Sequence, residues 1–148
     1  MSPVDRAVLA ERTLALRRHL ARVADKLPAT PADFAASPDA SDAVILHLWQ
    51  ATQIVIDLAV SASVLLGAGT PQGYADAFRR LQAAGVIDAA LADRLVRAAG
   101  FRNVVAHAYQ DLDLTRVCQA ASAGSGRSAR VRRRARTFDS GVASRAQG

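Results

Sequence analysis

The residues of this sequence best suited to chemistry lie in one short stretch, RNVVAHAY at positions 102–109. Arg102 carries a permanent positive charge in a planar group that matches phosphate oxygens. His107 titrates near neutral pH, so it can act as a general base or a general acid. Tyr109 adds a hydroxyl two residues later. Together these side chains offer an acid or base, a cation and a hydroxyl for chemistry at a phosphate group.

The spacing of these residues raises a geometric problem. Arg102 and His107 are five positions apart, which on a straight helix separates their directions by about 140°. Either the length of the arginine, a break near Gly100 or a second subunit must close that gap. One chain supplies one such histidine, whereas a dimer supplies two. Taken singly, the three residues also have ordinary interpretations: a surface charge, an interface histidine and a ring at the edge of the core.

The elements that must position this stretch are helices. The chain has 148 residues, 51% of them hydrophobic and only 5% aromatic, which fits one domain with an aliphatic core. Ala, Leu and Arg are abundant and apolar residues recur at helical spacing. We predict an all-α antiparallel bundle of about five helices, with long helices over residues 3–27 and 42–66, a shorter one over 74–84, and another from 88 through the motif.

Local signals place the helix ends. Ser2 with Pro3 predicts the first start, Asp39 or Ser41 is predicted to cap the second long helix, and Asp88 to cap the last. Gly85 is predicted to end the helix before it. A short helical turn is predicted around Phe34.

A polar ridge runs along the apolar helix 42–66, formed by Gln50, Gln53, Asp57 and Ser61. It is either the solvent-facing stripe or the lining of a polar site. So many apolar residues require cover on more than one side, by neighbours or a second subunit. The polar groups would be costly in a lipid bilayer, so we interpret the segment as a buried helix and expect no membrane partner.

The motif and its setting resemble HEPN-domain proteins, which carry R-x(4–6)-H-x-Y. More narrowly they resemble the HepT toxins of HepT/MntA toxin–antitoxin systems. The likeness extends over residues 4–117 and includes IVIDLA at 54–59, the succession Gly67, Pro71, Tyr74, Phe78, Leu81 and GVI at 85–87, and GFRN at 100–103.

The resemblance implies a cytoplasmic toxin that forms a homodimer or a higher homo-oligomer and cleaves RNA without a metal or other cofactor. It implies catalytic roles for Arg102, His107 and Asp57, with Asn103 and Gln53 in support. It also implies a MntA-like nucleotidyltransferase antitoxin that transfers AMP to Tyr109. Two alternatives stay open: a non-catalytic module that binds nucleotide or RNA, and a protein that is only the substrate of the transferase. We expect structural roles for His19 and His47.

Charge divides the chain into a body and a tail. Residues 1–118 are formally neutral, while residues 119–148 hold seven arginines and one aspartate, which accounts for the whole net charge of +6. The basic composition therefore does not indicate a basic face on the body. We predict a helical domain over 1–118 and an Arg/Ser/Gly-rich tail, disordered from about 122. The tail is either a natural basic arm or the product of a reading-frame change. The abrupt break in composition favours the frame change. The single cysteine, Cys118, fits a reducing compartment and an incidental thiol.

Overall fold

The computed structural model describes residues 1–122, and every regular element in that part of the chain is helical, which confirms the all-α prediction. The elements are α1 (Pro3–Lys26), α2 (Pro31–Ala36), α3 (Pro38–Leu65), α4 (Tyr74–Ala83), α5 (Ala89–Ala108), a 3-10 turn (Tyr109–Asp111) and a last helix over residues 114–122, here called α6.

Several helix ends are where the local signals predicted them. The Ser2 hydroxyl accepts from the Asp5 N–H and the Asp5 carboxylate accepts from the Ser2 N–H, which is a capping box at the start of α1. The Asp88 carboxylate accepts from the Leu91 N–H at 2.7 Å and caps α5. Gly85, at φ +72°, ends α4 in a left-handed conformation that favours glycine. These ends are set by neighbouring residues, so sequence alone could locate them.

The start of α3 was predicted wrongly. The helix begins at Pro38 and not near Asp42, and neither Asp39 nor Ser41 caps it. Proline suits the first helical position because its ring fixes φ and the first turn needs no N–H donor from it. The Ser41 hydroxyl instead donates to the Pro38 carbonyl at 3.1 Å inside the first turn. Asp42 therefore lies within α3.

Two groups of buried side chains form the core, and α3 passes through both. The first core joins α1, α2, α3 and α6, and the second joins α3, α4 and α5. The first contains Val23, Phe34, Val44, Ile45, Val117, Cys118 and Ala121, and the second contains Ala59, Ala77, Phe78, Leu81 and Ala99.

The helix α6 crosses the predicted boundary between body and tail at residue 118. Residues 114–122 are helical, and Ala121 is only 5% exposed within the first core. Cys118 is buried beside it, as an inert core thiol would be. The folded body thus includes residues up to 122. The predicted disorder of the tail lies outside the described residues.

The helix α3 is central but incompletely covered. It packs against α1, α2, α4 and α5, yet only 22% of its most apolar 18-residue window is buried. Its mean hydropathy of 1.5 and its length would also permit a membrane span, a test that core helices pass as well. Leu46 and Val64 on α3 remain more than half exposed. Cover by a second subunit stays a prediction.

Candidate functional site

The motif is carried by the C-terminal half of α5. This helix is unbroken from Ala89 to Ala108, so the break near Gly100 that would have turned Arg102 towards His107 does not occur. The sequence pattern predicted a helix through the whole motif, but Tyr109 lies outside α5 and begins the 3-10 turn that follows. The motif therefore presents its side chains in several directions.

The guanidinium of Arg102 is held at two points. Its Nε–H donates to Oε1 of Gln53 on α3 at 2.9 Å, and its Nη1 donates to Oδ1 of Asn103 at 3.1 Å. The side chain is half-buried. A guanidinium has five N–H groups, and those not used here bond to nothing else in residues 1–122. They are therefore free to bind an anion.

Behind Gln53 stands Asp57, one turn further along α3. The Gln53 Nε2 donates to Oδ1 of Asp57 at 3.0 Å, so the amide links the carboxylate to the guanidinium. Asp57 does not contact Arg102 directly. The middle of the polar ridge therefore lines a polar cluster, whereas Gln50 and Ser61 form no side-chain hydrogen bond with it.

The cluster has a further member, Tyr74, at the start of α4. The Asn103 Nδ2 donates to the Tyr74 hydroxyl oxygen at 3.3 Å. The sequence places Tyr74 at the start of a predicted helix and within the family likeness, but predicts no contact between it and the motif. Twenty-nine residues separate it from Asn103, and no short-range pattern indicates the contact.

His107 lies apart from this cluster. Its side chain is exposed and forms no hydrogen bond or ion pair with the rest of residues 1–122. One chain thus brings together Gln53, Asp57, Arg102 and Asn103, but leaves the histidine out. The expected 140° separation is what an unbroken helix produces.

Tyr109 is also engaged elsewhere. Its hydroxyl donates to the carboxylate of Asp42 on α3. That hydrogen bond, together with partial burial and the negative charge of Asp42, raises the pKa of Tyr109 to about 12. The ring is 44% exposed. The sequence predicts Asp42 only as the start of a helix and does not indicate this partner.

His19 and His47 form a pair between α1 and α3. Their Nδ1 atoms lie 3.0 Å apart, so one ring donates and the other accepts. Partial burial, followed by the charges of His19, Arg22 and Lys26, lowers the pKa of His47 below its usual 6.5. This contact is distant in the chain from the motif and fits the predicted structural role.

A groove of about 790 Å³ lies between α3, α5 and α6. Its apolar wall includes Leu48, Phe101 and Val104, and its rim carries Arg94, Arg97 and Arg116, with Asp111 and Asp113 beside them. The groove thus borders the motif helix on another face. Within residues 1–122, no three His, Cys, Asp or Glu side chains are grouped so as to hold a metal ion.

Comparison with known proteins identifies the family. A family model described as "Ribonuclease HepT-like" matches residues 16–124. The chain is 36% identical over 73 residues to the mRNA nuclease HepT of Shewanella oneidensis, a match that covers 49% of this chain and 55% of that relative. The chain therefore spans about half the length of the curated relative.

Solved structures agree with this assignment. A crystal structure of a toxin–antitoxin with AMP-PNP has a TM-score of 0.72 at 25% identity, covering 78% of this chain and 86% of that one. The tri-AMPylated HEPN toxin of Shewanella oneidensis in complex with MNT antitoxin gives a TM-score of 0.72 at 25% identity, over 82% and 88% of the two chains. With the family model covering most of its length, this chain belongs to the HepT-like ribonuclease family.

Proposed function

We propose that this chain is the toxin of a toxin–antitoxin pair and acts as a metal-independent RNA endonuclease. The observation that carries the proposal is Arg102, whose guanidinium is fixed by Gln53 and Asn103 while its other N–H groups bond to nothing else in residues 1–122. An exposed His107 follows on the same helix. The family assignment and the naming of a relative as an mRNA nuclease support RNA as the substrate.

The reaction follows from these groups. The 2′-oxygen of the ribose attacks the adjacent phosphorus, the bond from phosphorus to the 5′-oxygen breaks, and a 2′,3′-cyclic phosphate and a 5′-hydroxyl result. One imidazole removes the 2′-hydroxyl proton and another protonates the leaving oxygen. Arg102 stabilises the negative charge on the phosphorane oxygens. Asp57, which the resemblance predicts to be catalytic, acts indirectly, because its carboxylate holds the Gln53 amide that contacts Arg102.

The two imidazoles come from two copies of the chain. His107 has no acid–base partner within residues 1–122, and a twofold dimer brings two copies of a residue together when that residue lies near the axis. A homodimer with one composite site therefore supplies both the base and the acid that the reaction needs. It also provides cover for the exposed apolar side chains of α3.

Neutralisation proceeds by transfer of AMP from ATP to the Tyr109 oxygen, which loses its proton as pyrophosphate leaves, and a MntA-like nucleotidyltransferase catalyses the step. Support comes from the solved relative, a tri-AMPylated HEPN toxin in complex with its antitoxin. Tyr109 is accessible, with a 44% exposed side chain. A bulky anionic group there would stand two residues from His107 and would repel the phosphates of RNA.

The test is cleavage of a labelled RNA pool by the purified chain in the presence of EDTA. His107→Ala and Arg102→Ala should each reduce cleavage by at least 100-fold, as removal of an acid–base group or a charge-stabilising group does. Gln110→Ala, an exposed change at the same end of α5, serves as the matched control. Equal cleavage by His107→Ala and the wild type would contradict catalysis and favour a binding module.

A second candidate, a chain that is only the substrate of the transferase, is favoured by one observation. The Tyr109 hydroxyl bonds to Asp42 and does not join the Arg102 cluster, so it needs no part in RNA chemistry. Intact mass after incubation with the partner transferase and ATP tests it. AMP on Tyr109 of a chain that cleaves no RNA would establish this candidate.

A further inference from the structure

A continuous chain of hydrogen bonds runs across the candidate site from α3 to α4. It passes from Asp57 to Gln53 at 3.0 Å, from Gln53 to Arg102 at 2.9 Å, from Arg102 to Asn103 at 3.1 Å and from Asn103 to Tyr74 at 3.3 Å. Arg102 stands in the middle, with two supports on either side. Arg102 belongs to the R-x4-H-x-Y motif, whereas Tyr74 lies outside the motif and has no role in the proposed reaction.

The direction of each bond is determined by the arginine. A guanidinium only donates, so Asn103 must present its Oδ1 to Nη1 of Arg102. The Nδ2 of the same amide then faces Tyr74, and the Tyr74 oxygen accepts from it. The bond to Tyr74 thereby restrains the Asn103 amide in the orientation that the arginine needs.

Tyr74 is itself anchored by packing. Its ring is half-buried against the second core, and it is the first residue of α4. A rigid aromatic body with a polar tip can fix a hydrogen-bond position at little entropic cost, because the ring has already been immobilised by its neighbours. By contrast, the Asn103 side chain bonds within residues 1–122 only to Arg102 and Tyr74, so Tyr74 is its one support apart from the arginine itself.

We propose that Tyr74 is a positioning residue for Arg102, acting through Asn103. It holds the guanidinium so that its free N–H groups face the phosphate of the substrate in one orientation. This role rests on the proposed ribonuclease function, for which Arg102 stabilises the transition state. Loosening one support should lower the rate about threefold to tenfold, the usual effect of losing one such hydrogen bond.

The kinetic test uses Tyr74→Phe, which removes the hydroxyl and keeps the ring. We expect kcat for RNA cleavage to fall about threefold to tenfold with KM nearly unchanged. In an Asn103→Ala background, Tyr74→Phe should have no further effect, because the two residues act in series. Thr13→Val, which also removes one half-buried hydroxyl but on α1, is the matched control. Full activity of Tyr74→Phe, or additive losses in the double variant, would overturn the proposal.

A second readout does not depend on RNA cleavage. In protein labelled with ¹⁵N-arginine, the Nε–H signal of Arg102 is identified by its loss in Arg102→Lys. Tyr74→Phe should speed exchange of that proton with water several-fold, while the Nε–H of Arg80, bonded to Asp76, should not change. Unchanged exchange at Arg102 would overturn the positioning role. If the wild type cleaves no RNA, the ribonuclease proposal fails, and this measurement still decides whether Tyr74 holds Arg102.

Discussion

Arg102 and Asp57 show how a charge can be used without a direct ion pair. A carboxylate bonded straight to the guanidinium would compete with a phosphate for the same N–H groups. The Gln53 amide lies between the two charges and prevents this. Its oxygen accepts only the Nε–H of Arg102, and its nitrogen donates to the Asp57 carboxylate. The positive charge of Arg102 thus remains available to an anionic ligand.

This arrangement predicts different effects for two substitutions of Asp57. Asp57→Asn keeps an oxygen that can accept from Gln53, so cleavage of RNA should stay within about threefold of the wild type. Asp57→Ala removes the acceptor, frees Gln53 and should lower kcat about tenfold. Steady-state cleavage assays on both variants check this. If Asp57→Asn is as inactive as His107→Ala, Asp57 transfers a proton itself and the positioning role is wrong.

The bond between Tyr109 and Asp42 makes a prediction about titration. The carboxylate holds the Tyr109 pKa at about 12, so Asp42→Asn should lower that pKa towards its ordinary value near 10. Because the folded pKa is raised, the bond stabilises the fold below about pH 10, and that stabilisation is lost as the pH rises through about 12. In a Tyr74→Phe background Tyr109 is the sole tyrosine, and its absorbance can be followed against pH. An unchanged pKa in Asp42→Asn would show that the two groups do not interact in solution.

At the scale of helices, α1 packs along α3, and its Val23 joins the first core together with side chains of α2 and α6. The polar contact between α1 and α3 is the His19–His47 pair. Burial and nearby positive charges lower the pKa of His47 in the folded protein, so below about pH 6.5 the unfolded chain binds more protons than the folded one. Stability from this group is present above pH 6.5 and is lost as the pH falls.

The resulting prediction concerns melting temperature. The Tm of the wild type should fall between pH 7 and pH 5, and His47→Gln, which cannot gain a proton, should show a shallower fall. The pKa values of Asp5 and Asp76 are also shifted, but downwards from 3.8, so those groups titrate below this range. Thermal melts at a series of pH values make the comparison. Parallel curves for the two proteins would mean that His47 does not control acid stability.

The last helix gives a matched pair of substitutions. Ala121 is 5% exposed within the first core, while its neighbour Ala120 is exposed at the groove. Ala121→Asp places a carboxylate in the apolar first core and should destabilise the fold by about 3 kcal/mol, whereas Ala120→Asp should change stability by less than about 0.5 kcal/mol. Urea unfolding measures both. Equal effects would indicate that α6 does not pack on the first core in solution.

Sequence predicted local features of these elements better than their contacts. The ends at Ser2, Gly85 and Asp88 follow from residues within one turn. The predicted start of α3 lies four residues too far along the chain, because Pro38 falls in the predicted connection between the two long helices. The pairing of Gln53 with Arg102 spans 49 residues and that of Asp42 with Tyr109 spans 67. Such pairings depend on how whole helices pack. The polar ridge indicated Gln53 and Asp57, but no pattern indicated that Tyr74 contacts Asn103 or that Asp42 contacts Tyr109.

For the whole molecule, the decisive question is how many copies of His107 one site needs. Each chain has a single exposed His107, which has no acid–base partner in the part of the chain that the structure describes, residues 1–122, and the proposed reaction needs both a base and an acid. If one twofold site uses both copies, a dimer containing one His107→Ala chain has no activity. In mixtures of the two chains, activity should then fall as the square of the wild-type fraction, to about a quarter in an equal mixture.

Co-refolding wild-type and His107→Ala chains in a series of ratios, at constant total concentration, tests this by RNA cleavage. Mixtures of wild-type and Gln110→Ala chains should keep full activity at every ratio, because that exposed side chain takes no part in the site. Sedimentation must show that the mixtures are dimers, since exchange between subunits is what creates the mixed species. A linear decline, to half the activity in an equal mixture, would mean that each chain contains a complete site, and a group other than a second His107 would then have to supply the missing proton.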